Sequence, residues 1–226
     1  MPPVGTLTQA RLRTPNAAAV AGILFSSLLV AAFWLVRSAV PADPRELGSW
    51  LGTNARSVAL AMNLVPFAGI AFLWFIGVLR DRLGQLEDRF FATVFFGSGL
   101  LFLSMLFLSS AIIGGILVAF ATQPEQLVGS ATFRFARATA YAAMNIYAVK
   151  MACVFMITTS TVAVYTGITP RWLAIAGYVL SLFLLFGSYA IGWSFVVFPI
   201  WVFLISICIL LDNFTRASGV TSKTDE

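Results

Sequence analysis

The sequence predicts an all-α, polytopic transmembrane helix bundle of six spans, and three observations carry that prediction. Of its 226 residues, 60% are hydrophobic and 10% charged, against about 25% charged in an ordinary soluble domain. Apolar runs recur along the chain at the length of about 18 residues or more that a spanning helix needs. Charged side chains gather between those runs, with Lys150 the one exception.

The spans follow in order. Residues 1–16 form a polar tail containing Arg11 and Arg13. Span one is 17–36, longer than the signal-peptide core of about 7–15 residues and without an A-x-A cleavage site. The loop 37–56 holds two prolines, two acids and Trp50, which suits an interfacial segment with a short helix. Span two, 57–79, contains Asn63 and Pro66. The proline removes one backbone donor and favours a kink. In the connector 80–89 three arginines offset three acids, as in a solvated hairpin between antiparallel helices.

Span three, 90–120, exceeds what a hydrocarbon core of about 30 Å requires. It must tilt, protrude or break, and Gly114-Gly115 is the weak point. Span four is 139–165, with the preceding FRFAR segment opening its helix early. Gly167 reads as a helix-ending residue, Thr169 as the next N-cap and Pro170 as the first helical position. That makes a tight turn into span five, 171–190. Span six is 195–211 and includes Pro199. Residues 212–226 carry too little apolar surface to fold alone and read as a disordered tail.

Six spans put both termini on one side. With the termini inside, the inner segments hold eight Lys and Arg and the outer loops five. The excess points to cytoplasmic termini and a plasma-membrane location. The net charge of +5 comes from arginines scattered through loops, so no basic stripe of the kind nucleic acid needs is present. Cys153 and Cys208 both lie in apolar runs and read as small core residues.

Span four organises the rest. A charge deep in an apolar segment costs on the order of 3 kcal/mol, so it rarely faces lipid. At about 100° per residue, Lys150 shares a face with Ala143, Tyr147, Cys153, Val154, Ile157 and Thr161. Asn145 lies roughly opposite, with Ala148, Ala152, Thr159 and Ala163. This small-residue stripe lets a neighbouring helix approach closely. Span four is thus expected at the centre of the bundle.

The chemistry is bounded by absences. The chain has no histidine, the commonest general base and metal ligand, and no Asp or Glu lies within a predicted span. Paired carboxylates, a proton relay and a metal site are disfavoured, and no cofactor is implied. The span serines lack an activating base other than Lys150 and read as helix-packing residues. No catalytic residue stands out, and the pattern points away from an enzyme.

The segment TGITPRWLAIAGY (Thr166 to Tyr178) resembles a pattern in uncharacterised multi-pass bacterial membrane proteins, where T-G-x-x-P-R-W-L joins two spans. NLVPFAGIAFLWFIGVLRDRLG (Asn63 to Gly84) has the same character. The resemblance implies a membrane bundle and carries no functional residues.

Lys150, Asn145 and Asn63 are the candidate ligand-binding residues, all expected in the outer half of the membrane; the asparagines read first as interhelical hydrogen-bonding residues, and Lys150 equally as snorkelling outward or as paired inside the bundle. Two function classes follow. One is a small transporter or lipid-handling bundle with an outer-half polar pocket around Lys150, which would take an anionic lipid or a small anion. The other is a non-catalytic membrane subunit or scaffold that packs against a partner protein or a second copy.

Overall fold

A computed structural model describes residues 14–41, 48–83, 89–166, 169–187 and 194–221. Among them there is no strand, and the protein is an all-α helical bundle. The helices are α1 (Thr14–Ala39), α2 (Trp50–Leu83), α3 (Arg89–Thr122), the single turn α4 (Pro124–Leu127), α5 (Ala131–Ala142), α6 (Val149–Thr166), α7 (Arg171–Gly187) and α8 (Ser194–Thr221). Between α5 and α6 the chain stays helical but winds as a π-helix over Ala143–Ala148. Five stretches are long and apolar enough to cross a membrane: Ala17–Ala39, Trp50–Arg80, Phe90–Thr122, Ala131–Tyr165 and Ser194–Leu211. The apolar α7, with 17 residues, is shorter.

Several local expectations change. Trp50 to Arg56 forms the first two turns of α2 rather than a separate interfacial helix. Pro66 sits inside α2 and Pro199 inside α8, and both helices continue through them. Helix α3 does not break at Gly114-Gly115 but runs unbroken for 34 residues, about 51 Å at the usual rise. Ile113, Ile116, Leu117 and Phe120 pack on either side of the glycine pair, and that packing outweighs the roughly 1 kcal/mol propensity cost of each glycine.

Thr169 does not cap α7. Its Oγ1 is buried without a hydrogen-bond partner, while the Leu173 amide bonds the Pro170 carbonyl at 3.0 Å. A real cap stands at Ser130, whose side chain accepts from the Phe133 amide at 3.1 Å and starts α5 at Ala131. This is the early opening that FRFAR suggests. Helix α8 runs on to Thr221, into the stretch read from sequence as a disordered tail. Gly167, residues 84–88 of the 80–89 connector and residues 188–190 lie outside the described residues.

The core is a layer of phenylalanine rings. Phe25 and Phe72 have centroids 4.5 Å apart, Phe72 and Phe102 5.5 Å, Phe102 and Phe198 4.8 Å, and Phe72 and Phe155 5.3 Å. The rings come from α1, α2, α3, α6 and α8, and all five are buried. They fill the centre of the bundle in tilted and edge-on contacts, the geometries the ring quadrupole favours. A second, smaller cluster joins Ala39, Trp50, Leu51, Val58, Ile116, Leu127 and Phe133. It caps one end of the bundle, where α1 finishes, α2 starts and α5 begins.

Of the five candidate spans, Ala131–Tyr165 is the most buried, at 61% of its apolar window against 28–44% for the others. It packs on α3 along one side and on α7 along another. Ala148, Ala152, Thr159 and Ala163 are all buried, so the small-residue stripe of span four is in contact with the bundle.

Candidate functional site

The environment of Lys150 follows from the hairpin that α6 makes with α7. Thr161 Oγ1 and the Tyr178 hydroxyl are 2.7 Å apart, and the Thr161 hydroxyl also donates to the Ile157 carbonyl at 2.9 Å. One residue earlier, Ser160 faces Gly177. These contacts fix an antiparallel register. Within α6, Lys150, Val154, Ile157 and Thr161 recur at helical spacing on one face, the face that Thr161 turns to α7. Val154, Ile157 and Thr161 are half-buried and Lys150 is exposed. Lys150 stands on an exposed ledge just after the π-helix.

The π-helix sets that orientation. Each π turn takes up about one residue more than an α turn because its bonds reach i→i+5, so everything after it is rotated by roughly 100°. A uniform α wheel places Ala143 and Lys150 on one face. In the structure Ala143 is buried and Lys150 exposed. Tyr147, one turn before Lys150, is 58% exposed and extends the polar ledge. Among the described residues Lys150 makes no hydrogen bond or ion pair, and no serine is bonded to it.

Depth follows from the ring layer. Phe155 lies five residues beyond Lys150, about 7 Å along the axis. A lysine stem adds roughly 6 Å and leans toward its helix's N-terminus. The ammonium thus reaches about 13 Å from the layer along the bundle axis.

The structure does not draw the three candidate residues into one pocket. Asn145 lies within the π-helix and its Nδ2 donates to the Tyr141 carbonyl at 3.1 Å. Asn63 is exposed, and its Nδ2 donates to the Ala59 carbonyl at 2.9 Å. Each amide is therefore bonded one turn back on its own helix. Several serines do the same: Ser98 donates to the Phe95 carbonyl, Ser104 to that of Leu100 and Ser181 to that of Tyr178. Ser109 is different, crossing from α3 to the Ala140 carbonyl at 2.9 Å.

A polar cavity of about 270 Å³ lies elsewhere, at the junction of α1 and α2. Arg37, Ser38, Pro41, Ser49, Trp50 and Asn54 are among its lining residues. Asn54 Nδ2 holds the Ala39 carbonyl at 3.0 Å, and Arg137 reaches from α5 to the Pro41 carbonyl at 3.0 Å. The sequence reading placed Trp50 at an interface and gave Arg37 and Asn54 no role. Their signal was faint: two polar residues seventeen apart that only the α1–α2 fold brings together.

Comparison with protein-family models, with curated proteins and with solved structures found no match for this chain.

Proposed function

We propose that this is a non-catalytic, six-span protein of the plasma membrane that handles lipid at its surface, with Lys150 receiving an anionic headgroup in the outer leaflet. The observation that carries the reading is the ledge. Lys150 is an exposed cation that makes no hydrogen bond or ion pair among the described residues, and its long stem can carry the ammonium outward toward the headgroups. A phosphate diester there would neutralise it at close range, and the Tyr147 hydroxyl can donate a second bond.

Counting α7 as the sixth span puts both termini on one side, and the inner excess of Lys and Arg makes that side the cytoplasm. The aromatic layer filling the centre favours handling lipid at the flank over carrying a solute through the middle. The subunit reading rests on the same exposed cation, with a partner's carboxylate in place of the phosphate.

The test is native mass spectrometry of gently purified protein, wild type against Lys150→Met. The substitution keeps the stem's volume and removes the charge. Wild type should retain anionic phospholipid, and Lys150→Met should lose most of it while staying folded. Equal lipid in both would defeat the headgroup reading, and loss of a bound protein instead would favour the subunit one.

A further inference from the structure

Helix α7 is seated mainly on a single neighbour. It packs almost entirely on α6, with a slight edge on α8. Its buried stripe is Leu173, Ala174, Gly177, Ser181 and Leu184, small at the middle. Trp172, Ile175, Val179, Leu182, Phe183 and Phe186 are all exposed. Small residues let backbones close up but bury little apolar area, so the seam lacks the interlocking that large side chains give.

The polar groups beneath it are unsatisfied. Among the described residues five buried side-chain polar atoms have no hydrogen-bond partner, and three of them adjoin α7: Ser160 Oγ, Thr169 Oγ1 and Trp201 Nε1. Ser160 is 0% and Trp201 1% exposed. Both atoms lie within 2.9 Å of the point a Cβ on Gly177 would occupy. A hydroxyl and an indole N–H thus converge on one spot from α6 and α8, with only the glycine between them. Most buried polar groups find partners, and an exception calls for a physical reason. In a closed seam these two have lost water and gained nothing; with α7 displaced they would regain partners.

We propose that α7 is a lateral gate: it swings away from α6 and α8 and opens Ser160 and Trp201 to water. The Thr161–Tyr178 hydrogen bond is the latch that favours closure. Gly177 is the contact that allows full closure, since any side chain there would collide with Ser160 and Trp201. Local openings of this kind draw on the least stable units of a structure. The gate stands on the orphaned pair and the thin seam, and holds whether or not Lys150 binds lipid.

The experiment is thiol accessibility in the full-length protein in liposomes, in a background of Cys153→Ala and Cys208→Ala. Ser160→Cys reports on the α7 seam. Ser206→Cys, 0% exposed and packed against Gly22 of α1, reports on an equally buried seam that has no gate. With N-ethylmaleimide, Ser160→Cys should react roughly tenfold faster than Ser206→Cys, as expected for a site exposed by local opening. Tyr178→Phe should raise the rate at Ser160→Cys and leave that at Ser206→Cys unchanged. Ser181→Cys, on the buried stripe of α7 itself, is a second reporter should Ser160→Cys fold poorly. Equal protection of Ser160→Cys and Ser206→Cys, or no response to Tyr178→Phe, would overturn the gate. Fast alkylation with lipid retention unaltered by Lys150→Met would keep the gate and remove the headgroup reading.

Discussion

Two buried serines show how differently the same side chain can act in this bundle. Ser109 donates across a helix interface to the Ala140 carbonyl, whereas Ser160 is equally enclosed and bonds to nothing. Removing an interhelical bond in a membrane bundle costs about 0.6 kcal/mol on average. Removing an unpaired hydroxyl costs no bond and relieves its desolvation. Ser109→Ala should therefore lower the unfolding midpoint in detergent, and Ser160→Ala should leave it unchanged or raise it. The reverse order would mean that the hydrogen-bond pattern around α7 differs from the one described. Neither assignment was legible in the sequence, where all span serines read as packing residues. Which serine meets a carbonyl depends on helix register rather than on residue type.

At the scale of the element, the α5–α6 rod carries most of the information. Its burial and its small-residue stripe were readable because period and composition reveal a helix face without knowledge of neighbours. Ala152, fully buried on that stripe, should not tolerate bulk: Ala152→Leu should cost on the order of 1–3 kcal/mol by overpacking. Val164 is 45% exposed, so Val164→Leu should stay within about 0.5 kcal/mol of wild type. Thermal unfolding of the two variants in one detergent decides, and equal midpoints would show that the stripe is not a tight contact. The orientation of Lys150 escaped the wheel because no pattern in AMNIYA announces a π turn. Its i→i+5 bonds are a compromise between α3, α5 and α6, all of which pack against it.

For the whole molecule the remaining question is the side on which each loop lies. In the proposed topology the Arg80–Arg89 connector lies inside and the α1–α2 and α3–α5 connections lie outside. Single cysteines at Ser49, Gln85 and Gln123, in a background without Cys153 and Cys208, test it with an impermeant maleimide on intact cells. Ser49 is exposed beside the α1–α2 cavity and Gln123 is exposed ahead of α4, so both should label while Gln85 is protected. Labelling at position 85 alone would invert the topology. It would also move the Lys150 ledge to the inner leaflet, where anionic lipids are plentiful.

By itself the sequence determined that this chain is a helical bundle built for a membrane. Hydrophobic run length and the placement of charge answer to the bilayer's thickness and low dielectric, and those are the same for every such chain. It also located the small-residue face of α6 and the anomaly of Lys150, because periodicity is local and a lysine in an apolar run is rare on any fold. Tertiary structure alone decided that Lys150 faces outward and that Ser160 and Trp201 share an unsatisfied space beneath Gly177. It also decided that Asn63 and Asn145 remain on their own helices instead of meeting. Each of these depends on the register between helices, which arises from the packing of side chains far apart in the chain and is written in no single stretch of it.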